Sequence, residues 1–118
     1  MKSLRVFNQT RNVALVTDGV VADTYWTRFI GLMGKRALAD GFGLLLKNES
    51  AIHTIGMRIP IDVIYLDANA RVLRLTTAMP PWRFGPLVRH VRDVLELPAG
   101  ALDKTGTRQG DKLFLEVL

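Results

Sequence analysis

The chain has 118 residues, 48% of them apolar and 23% charged, enough to bury a continuous core and too apolar for a disordered tail. Cysteine is absent, which excludes disulfides, thiolate metal sites and cysteine nucleophiles. The formal net charge of +5 is scattered through Arg28, Lys35, Arg36, Arg58, Arg71, Arg74 and Lys104, with a modest cluster at Arg83, Arg89, His90 and Arg92; this predicts weak, salt-dependent contact with nucleic acid and no sequence-specific binding.

A single globular domain over residues 1–118 is expected. Lys2, Arg5 and Arg11 interrupt the N-terminal stretch before it can form the apolar core of a signal peptide. No run approaches the ~20 apolar residues that span a bilayer. The chain as it stands therefore reads as cytoplasmic, a trimmed export leader apart.

Alternation in "LRVFN" and "NVALVTDGVVADT" predicts two opening strands, with Asp18-Gly19 as a turn between half-buried segments. Thr24 or Asp23 then caps a helix through "TYWTRFIGLMG", where Trp26, Phe29, Ile30 and Met33 recur at helical spacing and Gly34 offers a stop. That stripe reads as core packing. "GFGLLLK" is a continuous apolar run too short for a helix, hence a buried central strand, and "AIHTIGM" reads as another strand. "PIDVIYLDANARVLRLTT" predicts a hairpin around Asp67-Ala68-Asn69-Ala70, whose Asp and Asn tolerate turn conformations.

The stretch from Ala78 to Leu87 carries three prolines and a glycine and is expected to be a mobile, exposed loop displaying Trp82 or Phe84. "VRDVLEL" is a strand, "PAGALDKTG" a short helix opened by Pro98 and closed by Gly106, and "DKLFLEVL" the last strand. Gly106 and Gly110 suit positive φ where the chain reverses, and Asp111 is placed to bond back to turn amides. The fold class is α+β, mainly β: a small, strongly curved sheet or partly open β-barrel with one or two short helices.

Four ordered blocks, "RFIGLMGKRAL", "GFGLLL", "HTIGMRIPIDVIYLDANARVL" and "VLELPAGALDKTGTRQGDKL", resemble an uncharacterised prokaryotic family, domain of unknown function one hundred and ninety-two. The resemblance covers about Arg28 to Leu113. The positions matching its pattern are Gly31, Leu32, Met33, His53, Thr54, Met57, Pro60, Asp62, Glu96, Pro98, Gly100, Gly110 and Asp111. It implies a compact β-rich fold and brings no catalytic residues with it.

His53, Asp62 and Glu96 are the foremost site candidates because each interrupts an apolar strand, where an unpaired charge costs several kcal/mol. With Thr54 and Arg58 they form a candidate pocket or polar network, and Trp82, Arg83 and Phe84 a candidate contact loop. Three readings of His53 stand: a member of a structural network with Asp62, a general base oriented by Asp62, or a metal ligand. One imidazole beside one or two carboxylates is a thin metal set, so no metal or cofactor is expected. No nucleophile elbow is present, and "GLMGKRA" lacks the spacing and the Ser/Thr of a phosphate-binding loop.

The leading expectation is a small non-enzymatic accessory module that binds an unidentified small molecule or protein partner. The alternative is a small hydrolase or isomerase using His53 and Asp62, with Arg58 as an anion clamp.

Overall fold

The structure is a computed structural model that describes residues 2–118, apart from the side chains of Tyr25, Trp26 and Phe29. Seven strands and two short helices follow one another: β1 (Ser3–Asn8), β2 (Val13–Ala22), α1 (Tyr25–Ile30), β3 (Phe42–Leu46), β4 (Ile61–Leu66), β5 (Val72–Met79), β6 (Asp93–Pro98), α2 (Ala101–Thr105) and β7 (Leu113–Val117). They form one sheet in the order β5-β4-β6-β3-β2-β1-β7. Among the described residues β2 and β3 are the one parallel pair, and α1 lies in the crossover that a parallel pair requires. The sheet curls until its edge strands approach at one end, where Val72 N–H donates to Asp111 O and Leu113 N–H to Ala70 O, both at 2.9 Å. The result is a strongly curved half-barrel, as the sequence predicts.

The half-barrel interior holds Leu4, Val6, Leu45, Ile64, Leu66, Leu95, Leu97, Leu102 and Leu113. On the other face, Leu44, Leu46, Ile61, Val63, Tyr65 and Val94 are covered by Leu32, Ile52 and Met57 from the connecting segments. The central strands are thus buried on both faces, which is why "IDVIYL" and "FGLLL" are almost continuously apolar while β1 alternates strictly. Within the described residues, no helix is long and apolar enough to cross a membrane.

The β4–β5 turn forms where expected: Asp67 Oδ1 accepts from the N–H groups of Asn69 and Arg71 at 2.8 and 3.0 Å, and Ala70 takes the left-handed conformation at φ 59°. Asp18-Gly19 does not turn. β2 continues through it, with an irregularity in its pairing to β1 between Val16 and Gly19, and the hairpin from β1 closes at residues 9–12, with Asn12 at φ 57°. Gly19 instead allows close strand approach, since a Cβ there would meet Gly43 O and Val16 Cγ1 at 2.7 Å.

The first helix is shorter than its periodicity predicts. Thr24 and Thr27 cap its start reciprocally, and Gly31 at φ 49° ends it one turn before Gly34. The expected packing of Trp26 and Phe29 lies outside the described side chains. "AIHTIGM" is not a strand either. Its only ladder contact is an isolated bridge between His53 and Phe84, because the chain turns at Gly56, φ 81°, and Thr54 O accepts from Met57 N–H at 3.1 Å.

Candidate ligand cavity

Strand alternation decides which polar residues meet. In β4, Asp62 shares a face with Ile64 and Leu66, which belong to the half-barrel interior. In β6, Glu96 shares a face with Val94, on the opposite side, and its cross-strand neighbours there are Leu44 and Val63. The sheet itself separates Asp62 from Glu96. His53 comes from the covering segment and lies on Glu96's side, so the His53–Asp62 juxtaposition expected from their nearness in sequence does not form.

Asp62 is fully buried and fully occupied. Its Oδ1 accepts from Ala78 N–H at 2.8 Å, and its Oδ2 from Gly100 N–H at 3.1 Å and Leu102 N–H at 3.0 Å. Three backbone donors that the sheet and the start of α2 would leave orphaned are satisfied by this one carboxylate. Thr54 is equally buried and clips the proline-rich loop to the covering segment. Its hydroxyl donates to Pro80 O at 2.7 Å and accepts from Arg83 N–H at 2.8 Å, while Trp82 N–H donates to Thr54 O at 2.9 Å. Trp82 and Phe84 are 64% and 78% exposed on that loop, and Arg83 is exposed beside them. Arg58 is also exposed and stands outside the cavity lining.

Between the outer sheet face and its cover lies a cavity of about 270 Å³, walled by Leu32, Met33, Leu46, Ile52 and Met57, with Arg28, Glu49, His53 and Glu96 as its charged and titratable lining. Glu96 is 2% exposed, and its Oε1 has no hydrogen-bond partner. Gly31 leaves room beside it: a Cβ there would stand 3.5 Å from Oε1. Burial pushes the Glu96 carboxyl up to about 8, with the Glu49 carboxylate adding to the effect. At neutral pH the cavity therefore contains a neutral carboxylic acid with an unused oxygen.

The other polar groups are held by local bonds. Buried Asp93 accepts from Asn48 N–H at 2.9 Å and from Lys47 Nζ at 3.3 Å, fixing the turn that presents Glu49. Arg28 Nε lies 3.8 Å from Glu49 Oε2, and its Nη1 donates to Lys47 O at 3.2 Å and Asp23 O at 3.3 Å. His53 Nδ1 accepts from Ile55 N–H at 3.2 Å, which leaves the proton of the neutral ring on Nε2. No group of three His, Asp or Glu side chains able to hold a metal ion occurs among the described residues. Arg28 and Glu49 carry no sequence signal that distinguishes them from solvated surface charges. The family-like "GLM", Gly31 to Met33, and Met57 were the local hints of the wall.

A second polar cluster stands apart from the cavity. Asp111 Oδ2 accepts from Asn8 Nδ2, Arg11 Nε and Arg108 N–H at 3.0, 3.1 and 2.9 Å. Burial works to raise the Asp111 carboxyl, but the bonds from Arg11, Asn8 and Arg108 outweigh it and hold the group below its ordinary value. Asp111 thus bonds back to the turn, as its sequence context predicts.

The profile of the family described as an uncharacterised ACR, domain of unknown function one hundred and ninety-two, matches residues 6–115. The UPF0127 protein of Pyrococcus horikoshii is 32% identical over 111 residues, which is 92% of this chain and 96% of that protein. Its Pyrococcus furiosus counterpart is 31% identical over 111 residues, covering 92% and 95%. Among solved structures, a protein of unknown function from Novosphingobium aromaticivorans superposes with a TM-score of 0.80 at 23% identity, covering 95% of this chain and 83% of that one. A Sinorhizobium meliloti protein, named as a candidate transcription regulator, gives 0.77 at 20% identity, covering 96% and 92%. At these identities the two structures share the fold.

Proposed function

The chain belongs to this uncharacterised prokaryotic family, and from that premise and the geometry of the cavity we propose that it is a non-enzymatic binding module whose ligand is a small molecule seated over Glu96. The observation that carries this reading is the buried, unpartnered Oε1 of Glu96, a residue that lines a cavity of mixed polar and aliphatic walls. An orphaned buried oxygen costs about 1–3 kcal/mol, and a ligand donor placed there recovers that cost on binding. A few polar groups converging in an apolar recess is the usual chemistry of a small-ligand site.

A hydrolase or isomerase using His53 and Asp62 gains no support, because Asp62 is spent on three backbone donors across the sheet. The exposed Trp82, Arg83 and Phe84 support a second role for the loop as a contact surface for a protein partner. Thr54 would hold that surface in register with the cavity's cover.

A fragment screen by thermal shift tests the main reading. Fragments that stabilise the wild type lose their effect in Ala51→Phe, which puts a ring at a half-buried lining position, and keep it in Arg58→Ala, outside the lining. Equal stabilisation of all three proteins would place the ligand elsewhere.

A further inference from the structure

We propose that the ligand class of this cavity is an organic cation: an alkylammonium or related N–H donor whose charged head meets Glu96 and whose hydrocarbon part lies along Leu32, Met33, Leu46 and Met57. The inference rests on the cavity being the binding site and adds the sign of the charge it accepts.

The sign follows from which lining groups are already committed. Among the described lining residues Arg28 supplies the guanidinium; its charge is already faced by Glu49 at 3.8 Å, and its Nη1 is bonded to two backbone carbonyls. An anionic ligand approaching Arg28 would meet the Glu49 carboxylate beside it. Glu96 Oε1, by contrast, is an acceptor held at the cavity with nothing donating to it. A carboxylate and an ammonium brought together out of water form a charge-assisted hydrogen bond, roughly twice as strong as a neutral one. The methionine and aliphatic part of the wall suits an alkyl chain.

The charged and titratable groups near Glu96 are Glu49, Arg28 and His53 in the lining, together with Tyr65, whose phenol is held up mainly by burial, with a smaller contribution from Glu96. Without ligand, burial and Glu49 keep Glu96 protonated at neutral pH. An ammonium arriving beside it favours the carboxylate, so binding converts R–NH3+ and Glu96–COOH into the ion pair and delivers one proton to solvent. Nothing is oxidised or reduced, and the atoms balance as a proton transfer to water or buffer. Affinity then rises about tenfold per pH unit through the range in which free Glu96 is protonated, and levels off near pH 8.

The experiment is isothermal titration with straight-chain alkylammonium chlorides from ethyl to hexyl, the matching alcohols and the matching carboxylates. It is run at pH 6.0 and 7.0 in two buffers of different ionisation heat. The expected result is saturable binding of an ammonium, release of close to one proton, and about tenfold tighter binding at the higher pH. Glu96→Gln is expected to weaken that binding at least tenfold and abolish proton release, and Ala51→Phe to abolish binding. Should an alcohol or carboxylate bind as tightly as the ammonium and be blocked by Ala51→Phe, the cation class is overturned while the cavity stands as the site. If no member of the three series binds, or if Ala51→Phe binds them undiminished, both are overturned.

Discussion

Replacing Glu96 by Gln keeps the shape of the protonated side chain and removes its titration. In the wild type the folded carboxyl titrates at about 8, against an ordinary value of 4.5. Between those values the folded state holds a proton that the unfolded state has lost, so stability is full below the unfolded value and falls as pH rises. The decline ends near pH 8, where the folded group ionises too. At about 1.4 kcal/mol per pH unit, the accumulated loss approaches roughly 5 kcal/mol, a large share of the 5–15 kcal/mol typical of a domain. Gln carries no such penalty. Urea unfolding at pH 5, 6, 7, 8 and 9 should show the stability difference, variant minus wild type, growing by roughly 4 kcal/mol from pH 5 to pH 9, most of it before pH 8. Effects of other titrating groups cancel in that difference. Parallel wild-type and variant curves across the range would refute the reasoning, because they would mean that Glu96 ionises as freely in the folded state as in the unfolded one.

Asp62→Asn removes an acceptor oxygen from a carboxylate that serves three backbone donors, and should cost roughly 3 kcal/mol in urea unfolding while leaving ligand affinity within a few-fold, since it faces away from the cavity. Loss of affinity without loss of stability would contradict its structural role. The depressed Asp111 carboxyl contributes stability that is present above the ordinary carboxylate value of 3.8 and is lost as pH falls below it; in acid titrations followed by circular dichroism, Asp111→Asn should flatten that acid-side loss and lower the plateau at neutral pH. Trp82→Asn, at a position 64% exposed with φ 62°, should change stability by no more than about 0.5 kcal/mol and reduce the iodide-quenchable fraction of tryptophan emission.

The strands that face apolar neighbours on both sides were the most legible part of the fold. "GFGLLL" and "IDVIYL" contain almost nothing that could meet water, and the turn at Asp67 announces itself through a side chain that bonds its own backbone. Asp18-Gly19 misleads because the same glycine serves a turn or a close strand approach, and the atoms that decide, Gly43 O and Val16 Cγ1, are set by β-pairing that no local pattern encodes. "AIHTIGM" has the alternation of a strand yet acts as a cover, since it meets the loop through Thr54 and one isolated bridge, His53 to Phe84, and not through a continuous ladder.

The site was legible as a set of suspects and not as a constellation. His53, Asp62 and Glu96 stand out as polar interruptions of apolar runs. Which two meet depends on register: Val63 opposite Glu96 puts Asp62 on the other face. A shift of one residue would reverse the answer. Arg28 and Glu49 were invisible, because an ion pair near a cavity and a solvated surface charge have the same composition.

The methyl groups of methionine offer the most direct test of the central claim that the cavity over Glu96 is where this protein binds its ligand. Met33 and Met57 line the cavity, whereas Met79 is buried in the same core layer outside the lining. Methyl-labelled methionine spectra recorded during titration with a stabilising fragment are predicted to show saturable shifts of Met33 and Met57, with Met79 unmoved and the response gone in Ala51→Phe. Shifts confined to Met79, or saturation with Met33 and Met57 unchanged, would contradict the account.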